Sequence, residues 1–227
     1  MEIRLFEANN GSCPYLDNQN WMSFMFQADS LDNAVYESLI EKGFRRNGLM
    51  FYKNNCPDCD QCKPIRVLVN QFKCSKSQNK ILKKNNEVLI KSSPIAFDEE
   101  SFLLYQNFSE GRFKSSTSKE DFENFLGQSS VETIMMKYYD QEKLIGVGWV
   151  DILPNSLSSV YFAYDLGYAK RSLGVFSILK EIELCRELKK ENLQLGFWVD
   201  GAKTMLYKTQ YKPNELLING VWERSEL

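Results

Sequence analysis

No histidine occurs anywhere in the 227 residues of this chain, and that absence removes much of ordinary enzyme chemistry. Neither a Ser-His-Asp triad nor a Cys-His dyad can be assembled without an imidazole. A reaction must therefore start from an already activated substrate, or use Tyr, Lys, Asp, Glu or Cys as its proton carrier. Also missing is any run near the roughly 18 apolar residues that a membrane helix needs. The opening stretch MEIRLFEANNG has no apolar segment of the kind that drives secretion. A cytoplasmic protein with no membrane partner is the expectation. A large charge excess is lacking too: the net charge is −2, so the whole molecule is no electrostatic adhesive for nucleic acid.

What is present is uneven. Between Lys63 and Lys91 stand seven lysines and Arg66 against one acid, Glu87, a local basic stripe able to engage a few phosphates. CPDCDQCKPIR places Cys56, Cys59 and Cys62 within seven residues, with Cys13 far upstream in SCPY. In a reducing compartment such clusters are metal ligands or catalytic thiols more often than disulfides. C-x2-C-x2-C suits a structural zinc ion or an iron–sulfur cluster, each of which takes four ligands. Cys13 is the better fourth ligand, Cys74 the other choice, and unligated thiols at a tight turn the alternative.

The order of elements reads as α+β. WMSFMFQAD (21–29) is a strand, and DNAVYESLIEKG (32–43) a helix capped by Asp32 and stopped by Gly43. GFRRNGLMFYK is a hairpin turning at Asn47-Gly48. IRVLV (65–69) is a strand, and SKSQNKILKKNNEVLI (75–90) a basic helix with a capping serine. SPIAF (93–97) reads as a linker dividing an N-terminal subdomain, 1–92, from a catalytic domain, 93–227. Helices are expected at 102–108 and 119–126, and an antiparallel meander over 132–165. Val175, Ile178, Leu179, Ile182, Cys185 and Leu188 form the buried stripe of a long helix. LQLGFWV (193–199) is a last strand, followed by a short helix near 202–208.

A meander, an amphipathic helix and a further strand follow the order of acetyltransferase-type cores, in which a helix N-terminus holds phosphate. Here Ser172 would cap that helix, Gly174 would permit close approach, and Arg171 would add charge.

GFRRNG, YK, the cysteine loop, PIR, SKSQ, LYQNFSEGR, SSVYFAYD, SLGVFSILKEIELCREL and LGFWVDGAKTMLYK follow in one order along nearly the whole chain. That series resembles the arginyl-tRNA–protein transferase family, closest to its bacterial aspartate/glutamate leucyltransferase branch. The resemblance implies an acetyltransferase-like mixed-sheet core of the Fem type, beside a smaller α+β subdomain carrying the cysteines. It also implies transfer of an amino acid from its tRNA to an N-terminal Asp or Glu, which marks the target for degradation. No cofactor would be required for transfer. Short length and bacterial-type motifs favour Leu-tRNA over Arg-tRNA, with no obvious acidic pocket for an arginyl side chain. A CoA-dependent acetyltransferase and a non-catalytic RNA-binding module are the rival readings. Where the family commonly has His after Arg112, Phe113 stands here, and Ala202 occupies a frequent Cys position.

The acceptor's acidic side chain needs a cation, and Arg45, Arg46 and Arg66 are the candidates. Ser75, Lys76, Ser77, Gln78 and Lys80 would meet phosphate or ribose. Tyr52, Arg112, Ser172 and Gly174 complete the expected substrate contacts. Tyr164, Asp165, Tyr207 and Lys208 would position ester and amine, while Trp149, Phe162 and Trp198 are candidates for a leucyl pocket.

Overall fold

In the computed structural model, which describes residues 3–227, the chain builds two sheets and five α-helices. β1 (Phe6–Ser12) and β2 (Asn20–Gln27) lead into α1 (Asn33–Ile40), whose first amides are accepted by the Asp32 carboxylate. β3 (Arg45–Asn47) and β4 (Met50–Asn54) form the expected hairpin. Gly48 turns it at φ 56, and a Cβ there would sit 2.0 Å from the Asn124 carbonyl oxygen. Only glycine fits a left-handed turn pressed that closely against another backbone. These four strands make the small sheet, in the order β1-β2-β4-β3.

β5 (Cys62–Leu68) begins at the cysteine loop, and α2 (Lys76–Lys84) follows under a reciprocal Ser75–Gln78 capping box. α2 is shorter than the periodicity suggests: its Asn85 end docks on the Arg171 carbonyl, and β6 (Leu89–Pro94) takes the rest of the expected helix. β6 also absorbs part of the expected linker. α3 (Glu99–Phe113) and α4 (Lys119–Phe122), extended by a π turn over Glu123–Gly127, precede the meander. The meander is β7 (Thr133–Asp140), β8 (Lys143–Ile152) and β9 (Ser156–Tyr164). α5 (Leu173–Glu187), β10 (Asn192–Val199), β11 (Asn214–Ile218) and β12 (Val221–Arg224) close the chain. A 3₁₀ turn over Leu206–Gln210 replaces the short helix expected near 202–208.

The large sheet runs β12-β11-β5-β10-β9-β8-β7-β6, antiparallel except for the β9–β10 pair. It draws β5 from the first third of the chain into its interior, between β11 and β10, so the sheet spans the boundary expected near residue 92. α5 and α2 cover one face over a core of Ile65, Val67, Ile178, Ile182 and Leu193. α3 and α4 cover the other, where Phe122, Trp149 and Val147 pack. α1 lies under the small sheet with Tyr36 and Phe51. Among the described residues no helix is long and apolar enough to cross a membrane.

One irregularity positions the site. β9 and β10 pair only from Asn192↔Ser156 to Gln194↔Ser158. β10 then slips register against β5 around Gly196, at φ 75. The two parallel strands therefore part, and a wedge opens with Ser159 at its apex.

Candidate active site

Arg45 and Arg46 are adjacent on β3, and strand alternation sends their side chains to opposite faces. Arg46 enters the interior. Its Nε donates to both Asp151 oxygens at 3.0 and 3.1 Å, its Nη1 to the Gly48 carbonyl at 3.1 Å, and its Nη2 to Thr133 at 2.9 Å. Arg45 turns toward the wedge. Its Nη2 donates to the Ser159 carbonyl at 2.7 Å, the apex carbonyl left beyond the last β9–β10 pair.

Lys208, from the 3₁₀ turn, reaches the same place, with Nζ donating to the Phe197 carbonyl at 2.7 Å. A Cβ on Gly196 would lie 3.7 Å from both Arg45 Nη2 and Lys208 Nζ. Two basic side chains thus converge on one glycine. Both are buried, 8% exposed each. Burial lowers Lys208 from 10.5 to about 7, and the Arg45 charge pushes the same way. Such a pair is a receptacle for an anion, because a carboxylate placed between them relieves both the repulsion and the desolvation.

Beside this pair opens a cavity of about 610 Å³, lined by Tyr15, Trp21, Tyr52, Phe197 and the cysteine loop. Cys13, Cys56, Cys59 and Cys62 all face it. Burial, then the neighbouring Cys13, Cys56 and Cys59 thiols, push Cys62 up to about 12. The four cysteines expected to hold zinc or an iron–sulfur cluster therefore stand around one cavity. Among the described residues no three His, Cys, Asp or Glu side chains converge as ligands of one ion.

The remaining expected site residues separate into distinct groups. Arg66 is committed: it pairs with Glu215 at 2.8 Å and Glu41 at 3.1 Å, and its guanidinium lies 4.2 Å over the Trp222 ring. Of the three arginines, Arg45 alone faces the wedge without a carboxylate. Asp165 pairs with Lys143 at 2.7 Å and accepts from the Gly167 amide, which holds a turn beyond β9. Tyr164 packs on Phe108, with ring centroids 5.0 Å apart. Trp149 is fully buried on the α3 face, whereas Phe162 and Trp198 lie on the α5 face. Tyr207 is 39% exposed beside Lys208.

Gln78 is buried in its cap and donates to the Gln210 carbonyl at 3.3 Å. Ser75, Lys76, Ser77 and Lys80 are exposed on α2. The end of α2 is tied to the start of α5: Lys84 Nζ donates to the Lys170 carbonyl at 2.6 Å. The basic stripe and the α5 N-terminus therefore form one continuous surface. Ser172 does not cap α5 with its hydroxyl; it stands at φ 56, and the space over Gly174 is open. Arg171 is held by Asp140 at 3.0 Å. Arg112 is exposed at the far end of α3.

Two functional-looking residues escape the sequence reading, Asp151 and Glu181. Each leaves a trace there: an acid in the apolar strand KLIGVGWVDIL, and an acid on the buried stripe of α5.

Comparison with known proteins adds the following. Residues 11–80 match the family model described as arginine-tRNA-protein transferase, N terminus, and residues 100–218 match its C terminus. An aspartate/glutamate leucyltransferase of Pseudomonas savastanoi pv. phaseolicola is 36% identical over 225 residues, covering 97% of this chain and 96% of that protein. Another from Shewanella putrefaciens is 36% identical over 217 residues, covering 94% and 92%. Among solved structures, FemX superimposes with a TM-score of 0.53 at 9% identity, over 94% of this chain and 86% of that one. The C-terminal domain of a protein described as a lysylphosphatidylglycerol synthetase from Agrobacterium fabrum gives 0.52 at 8%, over 89% and 79%. The fold is the acetyltransferase-like mixed α+β fold of the Fem type, as expected.

Proposed function

Because the chain belongs to the arginine-tRNA-protein transferase family, we propose that it moves leucine from Leu-tRNA to the N-terminal Asp or Glu of a protein. The observation that carries this reading is the pair of buried basic side chains, Arg45 and Lys208, converging at Gly196 without a carboxylate of their own. The acceptor's acidic side chain supplies the missing anion. Its α-amine is then delivered to the wedge between β9 and β10.

The reaction needs no imidazole. The neutral amine attacks the ester carbonyl carbon; the new C–N bond forms, and the ester C–O bond to the terminal ribose breaks. The ribose hydroxyl leaves with a proton, and the amine gives up one as the amide forms. An N-terminal amine has an ordinary pKa near 8, so a useful fraction is already unprotonated at neutral pH. Catalysis rests on orientation of amine and ester and on donors aimed at the developing oxyanion. The exposed face of α2 and the α5 N-terminus receive the tRNA acceptor end, whose phosphates suit Lys76, Lys80, Lys83 and Lys84. Tyr207 borders this cleft and contacts the ester, and no cofactor takes part. The setting is the cytoplasm, where the product enters N-degron proteolysis.

The test is a matrix of donors and acceptors: labelled Leu-tRNA or Arg-tRNA with peptides beginning Asp, Glu, Ala or Lys. Transfer from Leu-tRNA to Asp and Glu alone is expected. Transfer that ignores the first residue of the peptide would remove the role given to Arg45 and Lys208.

A further inference from the structure

Glu181 is fully buried on α5, and neither of its carboxylate oxygens has a hydrogen-bond partner. A carboxylate in that condition is costly, because desolvation of a charge is repaid only by a partner. Burial raises its pKa from 4.5 to about 8, with the nearby Ser159 hydroxyl opposing the rise, so the carboxyl without a cation beside it is mostly protonated at neutral pH, and an ammonium partner would draw it back to the carboxylate. Two polar groups that sense its charge are equally unpartnered, the Tyr138 and Tyr211 hydroxyls. Polar groups without partners are rare in folded interiors, and two around one acid mark a place built for something else.

The position is specific. Glu181 lies beside Ser159, the residue at the wedge apex whose carbonyl holds Arg45. Oε1 would be 3.9 Å from a Cβ placed on Gly148 of β8, where the glycine leaves room under the Phe162 ring. Phe162, Tyr138 and Phe176 wall this side, with Tyr138 to Phe162 at 5.4 Å and Tyr138 to Phe176 at 6.0 Å. The apex thus has buried basic groups on one side and a buried, unpartnered carboxyl beside aromatic rings on the other. α5 itself runs from the basic surface at its N-terminus to Glu181, so it links the tRNA side to this acid.

Taking the function proposed above as its basis, we infer that Glu181 holds the α-ammonium group of the amino acid being transferred. A leucyl ester carries one cation, that ammonium, and an apolar side chain that suits the aromatic walls. The acid would thereby make the enzyme select donors with a free amino group and reject N-acylated ones. Glu181 positions the donor; it takes no proton from the acceptor in this account.

The test uses the full chain, Leu-tRNA, N-acetyl-Leu-tRNA and a peptide beginning with Asp. The wild type transfers leucine from Leu-tRNA and discriminates strongly against the acetylated donor. Glu181→Gln lowers kcat/KM for Leu-tRNA on the order of 10- to 100-fold, the size of one charge-assisted hydrogen bond. Its rate with N-acetyl-Leu-tRNA does not fall, so the discrimination collapses, while KM for the peptide is unchanged. Its melting temperature is not lowered, since the replacement removes an unpartnered buried carboxyl; Glu181→Asp, which keeps the acid, retains part of the preference. A folded Glu181→Gln protein that still rejects the acetylated donor as the wild type does would overturn the inference and leave the leucyl-transfer reading standing. A wild type that moves leucine from neither donor would instead overturn that reading, and this inference with it.

Discussion

At the scale of single residues, neighbours with the same side chain do opposite work. Arg46 is a structural ion: Asp151, Thr133 and the Gly48 carbonyl saturate its guanidinium, and both partners are almost wholly buried. Removing one partner strands the other in the interior. Asp151→Ala is therefore expected to cost about 3–5 kcal/mol, seen as a fall in melting temperature of roughly 10 °C. Arg45, one residue earlier, is left for the wedge. Lys208 offers a second readout, through pH. Its pKa falls from 10.5 in the unfolded chain to about 7 in the fold. Between those values the unfolded chain binds the extra proton, so folding stability contributed by this group rises as pH rises from about 7 toward 10.5. Lys208→Met should abolish that part of the slope. Urea melts of both proteins at pH 7 and pH 9 measure it: the variant gains relative to the wild type at pH 7, and the gap narrows at pH 9.

At the scale of elements, the hairpin, the meander, α1 and α5 were legible because each carries a local signal. Asp32 caps, Asn47-Gly48 turns, and the Ile178–Ile182–Cys185 stripe has a helical period. What was not legible depends on contacts distant in sequence. KKNNEVLI continues a helical composition past Lys84, yet Asn85 is drawn to the Arg171 carbonyl and β6 to β7, and those partners lie some forty residues or more further along the chain. Ser172 looks like a cap, but its backbone is left-handed and its hydroxyl does none of the capping. Arg66 and Arg45 look equivalent in sequence; only the fold brings Glu41 and Glu215 to Arg66. Helix α2 supports a prediction of its own. Its exposed lysines act as phosphate neutralisers, so Lys76, Lys80 and Lys83 changed together to Gln should weaken tRNA binding. The slope of log affinity against log salt should then fall by about two to three, while the melting temperature stays near wild type. An unchanged salt slope would place the tRNA elsewhere.

At the scale of the whole molecule, the sheet's interior strand β5 comes from the cysteine-bearing third of the chain, and its neighbours β10 and β11 come from the last. That interleaving explains how the cysteine loop, the GFRR hairpin and MLYK, spread over more than 150 residues, border one cleft. The thiols of Cys13, Cys56, Cys59 and Cys62 line the cavity wall together. Basic and acidic groups are divided across the wedge apex, with Arg45 and Lys208 on one side and Glu181 on the other. This matches an acidic acceptor meeting an ammonium-bearing donor, and the division is the central feature of the account.

Its most direct test compares two peptides that differ only in charge, one beginning with Asp and one with Asn, as acceptors of leucine from Leu-tRNA. The wild type should prefer Asp, by kcat/KM, on the order of 100-fold, the worth of a buried carboxylate held by charged donors. In Arg45→Met and in Lys208→Met that ratio should collapse toward one, chiefly by loss of activity on the Asp peptide. A ratio that stays at the wild-type value in both folded variants would contradict the account.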